Sequence, residues 1–423
     1  MVKVPPRVHE AALLRRLGPG LITGAADDDP SGIATYSQAG ARYGYGLLWT
    51  MLLTYPLMAA IQSVAARIGR VTGQGLAANI AETFPKPVMW VLVLLLFAAN
   101  TINIGADLAA MGAAAELLTG QPSHWYGLAF GAISLLLQLF VPYHRYVRIL
   151  KWLTLVLFAY VAVVIMANVD WAEALTRMFV PDIRLDAQAI TLIVAVFGTT
   201  ISPYLFFWQS SQEVEEIEDE PDAEPLKDLP PDSREELKRI RLDTLVGMGF
   251  SNAIALAIMI ATAATLHASG QTNIESAAQA AEALRPVAGP FAFVLFAVGI
   301  IGTGLLAVPV LAGSTAFATA EGQGWKCGLE YKPWQAWGFY AVIALAMGMG
   351  VLIDFSPIDP IQALVWSAVI NGVVAVPIMA VMMILAGRTS VMGVFTATPV
   401  QLVLGWLATA VMAAAAVAMF VVW

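Results

Sequence analysis

The sequence predicts an all-α polytopic membrane protein with about eleven transmembrane helices, the first and sixth of them broken. Three observations carry that expectation. Of 423 residues, 59% are apolar and 12% charged, and mean hydropathy is +0.74. A soluble domain carries about 25% charged residues. The apolar residues fall into runs of about 20, the length a helix needs to cross a bilayer. Two of those runs hold a proline beside clustered acids or hydroxyls at their centres, a pattern that breaks or kinks a spanning helix.

The runs lie at about 18–45, 47–68, 88–118, 124–142, 148–169, 188–212, 242–267, 287–320, 334–353, 357–386 and 398–422. Basic residues orient them. With the N-terminus in the cytoplasm, Arg42, Arg177, Arg184 and Arg285 face outward. The other 18 of the 22 Lys and Arg face inward, among them Lys3, Arg7, Arg15, Arg16, Arg145, Arg148 and Lys151. This asymmetry places the chain in the cytoplasmic membrane with an extracytoplasmic C-terminus. The basic N-terminal stretch leads into a run soon broken by Asp27-Asp28-Asp29-Pro30, which does not read as a signal peptide.

The net charge of -8 opposes a nucleic-acid partner. About -7 of it sits in one cytoplasmic segment, Glu213 to Arg241, with 12 acids, five bases and interspersed prolines. That composition reads as a solvated, partly disordered linker, with a metal-binding or regulatory surface as the rival. One cysteine, Cys327, allows no intrachain disulfide and no thiolate metal site. His9, His124, His144 and His267 all fall in or beside polar segments. No cofactor and no obligate protein partner is evident; the lipid bilayer is the expected surrounding.

The first run reads GPGLITGAADDDPSGIATYSQAGARYGYG. Asp27, Asp28 and Asp29 fall near its middle. Pro30 lacks an N–H and disfavours helix at the residue before it. The helix should break there and free backbone carbonyls, which membrane depth tolerates only against protein or a wet cavity. Carboxylates with free carbonyls form an all-oxygen site for a hard cation. The sixth run, AITLIVAVFGTTISPYLFFWQSSQ, has Gly198, Thr199, Thr200, Ser202 and Pro203 at its centre. Alone, that is a proline kink. Paired with the first break five spans earlier, it points to two inverted five-helix repeats whose breaks meet at the midplane. One integral membrane domain, 1–423, would then hold repeat one at about 15–169, repeat two at about 188–388 and an extra helix at about 398–422. Its acidic loop would span about 213–241.

GPGLITGAADDDPSG followed by QAGARYGYGLLW resembles the first-span region of the Nramp divalent-metal transporters, whose motif is Asp-Pro-Gly-Asn. GTTISPYLFFWQSS resembles their sixth-span Met-Pro-His motif, with its second His and Ser-Ser. The resemblance covers nearly the whole chain apart from an enlarged acidic loop. It implies a LeuT-like inverted-repeat fold and inward transport of transition metals, generally with protons. Under it, the family aspartate falls on Asp29 and the asparagine on Gly32. The methionine falls on Ser202, with a carbonyl ligand at Thr199. The two histidines become Tyr204 and Gln209. In span three the family aspartate is kept as Asp107, while two further acids become Ala110 and Asn100.

These departures have chemical consequences. Thioethers favour soft transition metals, whereas carboxylate, carbonyl and water suit Mg²⁺, Ca²⁺ or Mn²⁺. Small residues at Gly32 and Ser202 should widen the site for a partly hydrated ion. Lost histidines and acids remove proton relays. The pattern resembles the Nramp-related magnesium transporter branch. It implies Mg²⁺ transport by alternating access, with Mn²⁺ accepted and without proton coupling. The expected metal site is Asp29, Gly32, Thr199 and Ser202. Asp27, Asp28, Tyr204, Asp107 and Asn371 would stand beside it or along the path, although a helix–helix hydrogen bond is an equal reading for Asn371. The first alternative is a proton-coupled Mn²⁺/Fe²⁺ importer. A sodium-coupled amino-acid symporter of the same fold would have to bring a substrate carboxylate up to three acids. An intramembrane aspartyl protease would need two carboxylates sharing a proton, and the chain has no Gly-x-Gly-Asp motif.

Overall fold

The computed structural model describes residues 19–141, 153–181, 186–219, 223–228 and 233–422. Lys3, Arg7, His9, Arg15, Arg16, His144, Arg145, Arg148, Lys151, Arg184, Glu220, Asp222 and Asp232 lie outside them. All regular elements among the described residues are helical.

The first predicted span is two helices, α1 (Pro19–Asp27) and α2 (Pro30–Tyr43). Then come α3 (Leu48–Thr72), the short α4 (Leu76–Thr83), α5 (Lys86–Thr119) and α6 (Ser123–Phe140). In the fifth span, α7 (Phe158–Met166) turns into α8 (Trp171–Phe179) at a bend of 115°. The sixth span is again two helices, α9 (Ala187–Thr200) and α10 (Pro203–Asp219). The chain finishes with α11 (Ser233–Thr262), α12 (Ala292–Gln323), α13 (Trp337–Asp354), α14 (Pro360–Gly387) and α15 (Pro399–Val422).

Eight described helical stretches are long and apolar enough to cross a membrane, or nine with the bent pair. One of them, Pro30–Thr72, runs through parts of the first two predicted spans. The stretch α6 is not among the eight, because His124 and Gln138 dilute its apolar run.

Acids start several of these helices. The side chains of Asp29, Asp186 and Asp359 each accept a backbone N–H in the first turn of α2, α9 and α14. Such caps satisfy donors that have no partner within the helix. Packing then centres on the two broken helices. The first half, α1, lies on α11, and α2 lies on α11 and α14. The long helix α5 packs against α12, α13 and α14, while α15 closes over α3 and α14. Between α9 and α14 the backbones meet at Gly198 and Gly372. A Cβ on Gly198 would run into the Ala368 carbonyl, and one on Gly372 would meet the Val194 carbonyl.

The segment read from its charge as a solvated linker is helical at both ends. Glu213–Asp219 continue α10, and residues 233–241 open α11. Pairing explains the difference: Arg239, within the segment, meets its acids, and Arg70 joins them from α3. Arg239 meets Glu213 at 3.2 Å, Glu216 at 2.6 Å and Glu236 at 2.8 Å. From α3, Arg70 reaches Glu236 at 3.2 Å and Glu216 at 4.0 Å. Glu213 is fully buried and Arg70 is 4% exposed, so this is an interior ion-pair cluster joining α3, α10 and α11.

Candidate functional site

Each break follows from a proline four residues after a carbonyl. Pro30 offers no N–H to Ala26, and Pro203 offers none to Thr199. Both carbonyls find hydroxyls instead. Tyr204 Oη donates to the Ala26 carbonyl at 3.1 Å. Ser202 Oγ lies 2.9 Å from the carbonyls of both Thr199 and Gly198. The sixth-span break therefore supplies the donors for both orphaned carbonyls. Asp29 sits between α1 and α2 with ψ 169°, the extended backbone expected before a proline.

Asp29 Oδ1 accepts from Ser31 Oγ and the Gly32 N–H, both at 2.7 Å. Its Oδ2 accepts from Asn103 Nδ2 on α5 at 3.1 Å. Asn103 in turn accepts from Ser367 of α14 at 2.8 Å. Gly32 faces the second break. A Cβ there would lie 3.1 Å from Thr199 Oγ1, 3.3 Å from the Tyr36 ring and 3.5 Å from Asp29 Oδ1. Asp29, Gly32 and Thr199 are therefore brought together, with Ser202 anchored to the Thr199 carbonyl. The expected widening at Gly32 is not found, because the Thr199 hydroxyl and the Tyr36 ring take up that space. The Tyr36 hydroxyl pairs with Thr200 at 3.0 Å.

Asp27 and Asp28 turn away from Asp29. Both approach the Ser251 hydroxyl of α11, at 2.7 and 3.0 Å. One hydroxyl carries one proton, so it serves one carboxylate at a time. Asp27 Oδ1 and Asp28 Oδ2 have no hydrogen-bond partner among the described residues. The same holds for both oxygens of Asp107 and for both polar atoms of the Asn371 side chain. All four residues are at most 2% exposed. Asp107 is one turn beyond Asn103, about 6 Å along α5 toward the end assigned to the outside. Asn100 instead donates to Leu311, Ser314 and Thr315 of α12, a helix–helix contact.

Sequence reasoning missed two participants and left a third, Asn103, undecided between a site role and a helix–helix hydrogen bond. The Ala26 carbonyl could have been found by counting four residues back from Pro30. Asn103 carried only a weak signal as an amide inside a span. Ser251 carried none, because a serine in a membrane helix commonly bonds to its own backbone.

Among the described residues, no three His, Cys, Asp or Glu side chains converge as a metal cage. Any ion here would depend on carbonyls, hydroxyls and water beside a carboxylate. Toward the C-terminal end of α2 and the N-terminal ends of α9 and α14 lies a cavity of about 490 Å³, lined by Gln38, Arg42, Gln188, Thr191, Asn273 and Gln362 among others. Gln38 ties α2 to Asn273 at 2.8 Å and to the Ile274 N–H at 3.0 Å. Asp243 of α11 accepts the Gly20 N–H at 2.7 Å, which fixes the start of α1.

Two broken helices meeting at buried carboxylates, within this arrangement of spans, define a LeuT-like membrane transporter fold. The match described as Natural resistance-associated macrophage protein-like covers residues 20–422, and the chain belongs to that family, Nramp. It is 29% identical over 405 residues to the "Divalent metal cation transporter MntH" of Deinococcus radiodurans, covering 93% of this chain and 86% of the relative. The fold is similar to that of the Eremococcus coleocola manganese transporter, with TM-score 0.76 at 17% identity over 99% of this chain and 88% of the other. MhsT in complex with L-phenylalanine aligns with TM-score 0.63 at 14% identity, over 95% of this chain and 97% of the other.

Proposed function

We propose that this chain carries divalent metal cations across the membrane by alternating access, with Mn²⁺ the cargo to which its relatives' names point. The observation that carries the reading is the meeting of Asp29, Gly32 and Thr199 where two helices break. The groups there are carboxylate, hydroxyl and carbonyl oxygens, the donor set that suits Mn²⁺, Mg²⁺ and Ca²⁺. We assign the ion to Asp29, Gly32, Thr199 and Ser202, joined by the Ala26 carbonyl. The Asp29 carboxylate, the Ser202 hydroxyl and the Thr199 and Ala26 carbonyls are hydrogen-bonded to near neighbours, while the Thr199 hydroxyl has no partner among the described residues. An arriving ion exchanges those bonds for metal bonds, which couples binding to movement at both breaks. Asp27, Asp28, Tyr204, Asp107 and Asn371 are assigned to the walls of the path. The two repeats, about 15–169 and 188–388, would rock around it, with the N-terminus in the cytoplasm and the extra helix at about 398–422 outside them.

A second reading, Mg²⁺ in preference to Mn²⁺ and no proton coupling, is favoured by the chemistry of four positions. Gly32 and Ser202 offer no soft or amide ligand. Tyr204 and Gln209 replace imidazoles, and both are held by protein bonds: Tyr204 to Ala26, and Gln209 to Gln62 at 2.9 Å. This is the pattern expected of the magnesium branch of the family.

Proteoliposomes test both readings. Mn²⁺ influx that Asp29→Ala abolishes supports the divalent-cation reading, and absence of Mn²⁺ and Mg²⁺ influx alike would overturn it. Mg²⁺ influx that competes with Mn²⁺ without acidifying the lumen supports the second reading. Mn²⁺ influx that acidifies the lumen and ignores excess Mg²⁺ eliminates it.

A further inference from the structure

We propose that the cleft between α3, α11 and the start of α15 binds one anionic phospholipid, its phosphate held by Arg67 and Arg241. The cleft has a volume of about 370 Å³. Its walls change character along their length. At one end stand Arg67 of α3, Arg241 of α11 and Gln401 of α15. Toward the other stand Ala59 and Ala60 of α3, Leu245 of α11 and Leu404 of α15. Arg67 to Ala59 is eight residues, about 12 Å along a helix. A polar end followed by an apolar trough matches a headgroup followed by an acyl chain.

Charge selects the headgroup. Arg241 is exposed, and among the described residues no carboxylate pairs with it or with Arg67. Arg67 uses Nη1 to reach the Phe395 and Thr396 carbonyls at 3.3 and 3.1 Å, which fixes its guanidinium at the rim. The nearby acids Glu213, Glu216 and Glu236 are engaged by Arg70 and Arg239 instead. Two arginines are thus left to a ligand of opposite sign. Arg67 lies in the last two turns of α3, Arg241 in the first turns of α11, and Gln401 in the first turn of α15. All three therefore lie at the end of the bundle that the basic residues assign to the cytoplasm. Basic pockets between spanning helices on that side recognise anionic headgroups. Because α15 lies outside both repeats, a lipid wedged here would fasten it to the transporting core.

The test uses the full chain, delipidated in detergent and offered equal dioleoyl phosphatidylglycerol and dioleoyl phosphatidylcholine, with retained lipid read by native mass spectrometry. The chain should retain phosphatidylglycerol preferentially. Arg241→Gln, at an exposed position, should cut that preference about fivefold. Leu404→Trp, which fills the trough and leaves both arginines, should remove the retained lipid. An unchanged preference in both variants overturns the proposal. So does displacement of the lipid by millimolar inorganic phosphate, which would mark a simple anion site. Retention of a second protein chain in place of lipid also overturns it.

Discussion

The Tyr204 hydroxyl lies 3.1 Å from the Ala26 carbonyl, the oxygen that Pro30 deprives of its helical partner. The contact joins the two breaks directly and occupies an oxygen that an ion at Asp29 would use. Tyr204→Phe should cost about 1 kcal/mol of stability through the lost hydrogen bond. It should also lower the apparent KM for Mn²⁺, since the carbonyl no longer has a competing donor. Thermal unfolding and an uptake titration measure the two effects; a raised KM would count against Ala26 as a ligand.

Asp29 both caps α2 and faces Gly32, so its replacement separates stability from transport. Asp29→Ala should lose about 1 kcal/mol from the cap, leaving a folded protein with no measurable Mn²⁺ uptake. Uptake close to that of the parent protein would remove Asp29 from the ligand set.

Gly32 and Ser202 carry the selectivity argument. Gly32→Asn with Ser202→Met should shift competition toward Mn²⁺ over Mg²⁺, because the thioether is a softer ligand and the added amide oxygen displaces water from the ion. The space beside Gly32 is already tight against Thr199 and Tyr36. Gly32→Ala should therefore slow uptake of both ions equally, which separates bulk from ligand chemistry.

The ion-pair cluster joining α3, α10 and α11 should be cooperative. Arg239→Gln leaves Glu213 buried without its 3.2 Å partner, at a cost of about 3 kcal/mol. Adding Glu213→Gln should recover part of that loss. A double-mutant cycle with no coupling between the two would show that the pairing is incidental.

Cys327 offers a pH readout outside the spans. Burial and the Glu321, Glu215 and Glu218 carboxylates push its thiol up. The thiol is the form favoured by that shift, and the thiolate is the reactive one. Maleimide labelling should therefore be slow at pH 7 and still rising through pH 10. Rapid labelling that levels off below pH 8 would contradict the burial.

The architecture was legible because prolines at 30 and 203 are local signals with local consequences. That Asp29, Gly32, Thr199 and Ser202 would come together was readable for the same reason, as each lies within three residues of a break. The partners were not. Ser251 meets Asp27 and Asp28 from a distant span, and Asn103 reaches Asp29 only because α5 crosses it. Glu213 was misread as solvated because Arg239, later in the same run, folds back onto it, while Arg70 of α3 meets Glu216 and Glu236. A charge run does not announce which of its members folding will pair, nor which counterion arrives from another helix.

At Gly198 and Gly372, α9 and α14 present bare backbone to each other. Side chains interlock like gear teeth, and sliding past them means repacking. Two glycines leave a smooth bearing. Were α9 to move on α14 during transport, it would do so there with little side-chain repacking, and a single methyl group at Gly198 would jam the joint while leaving every ligand in place.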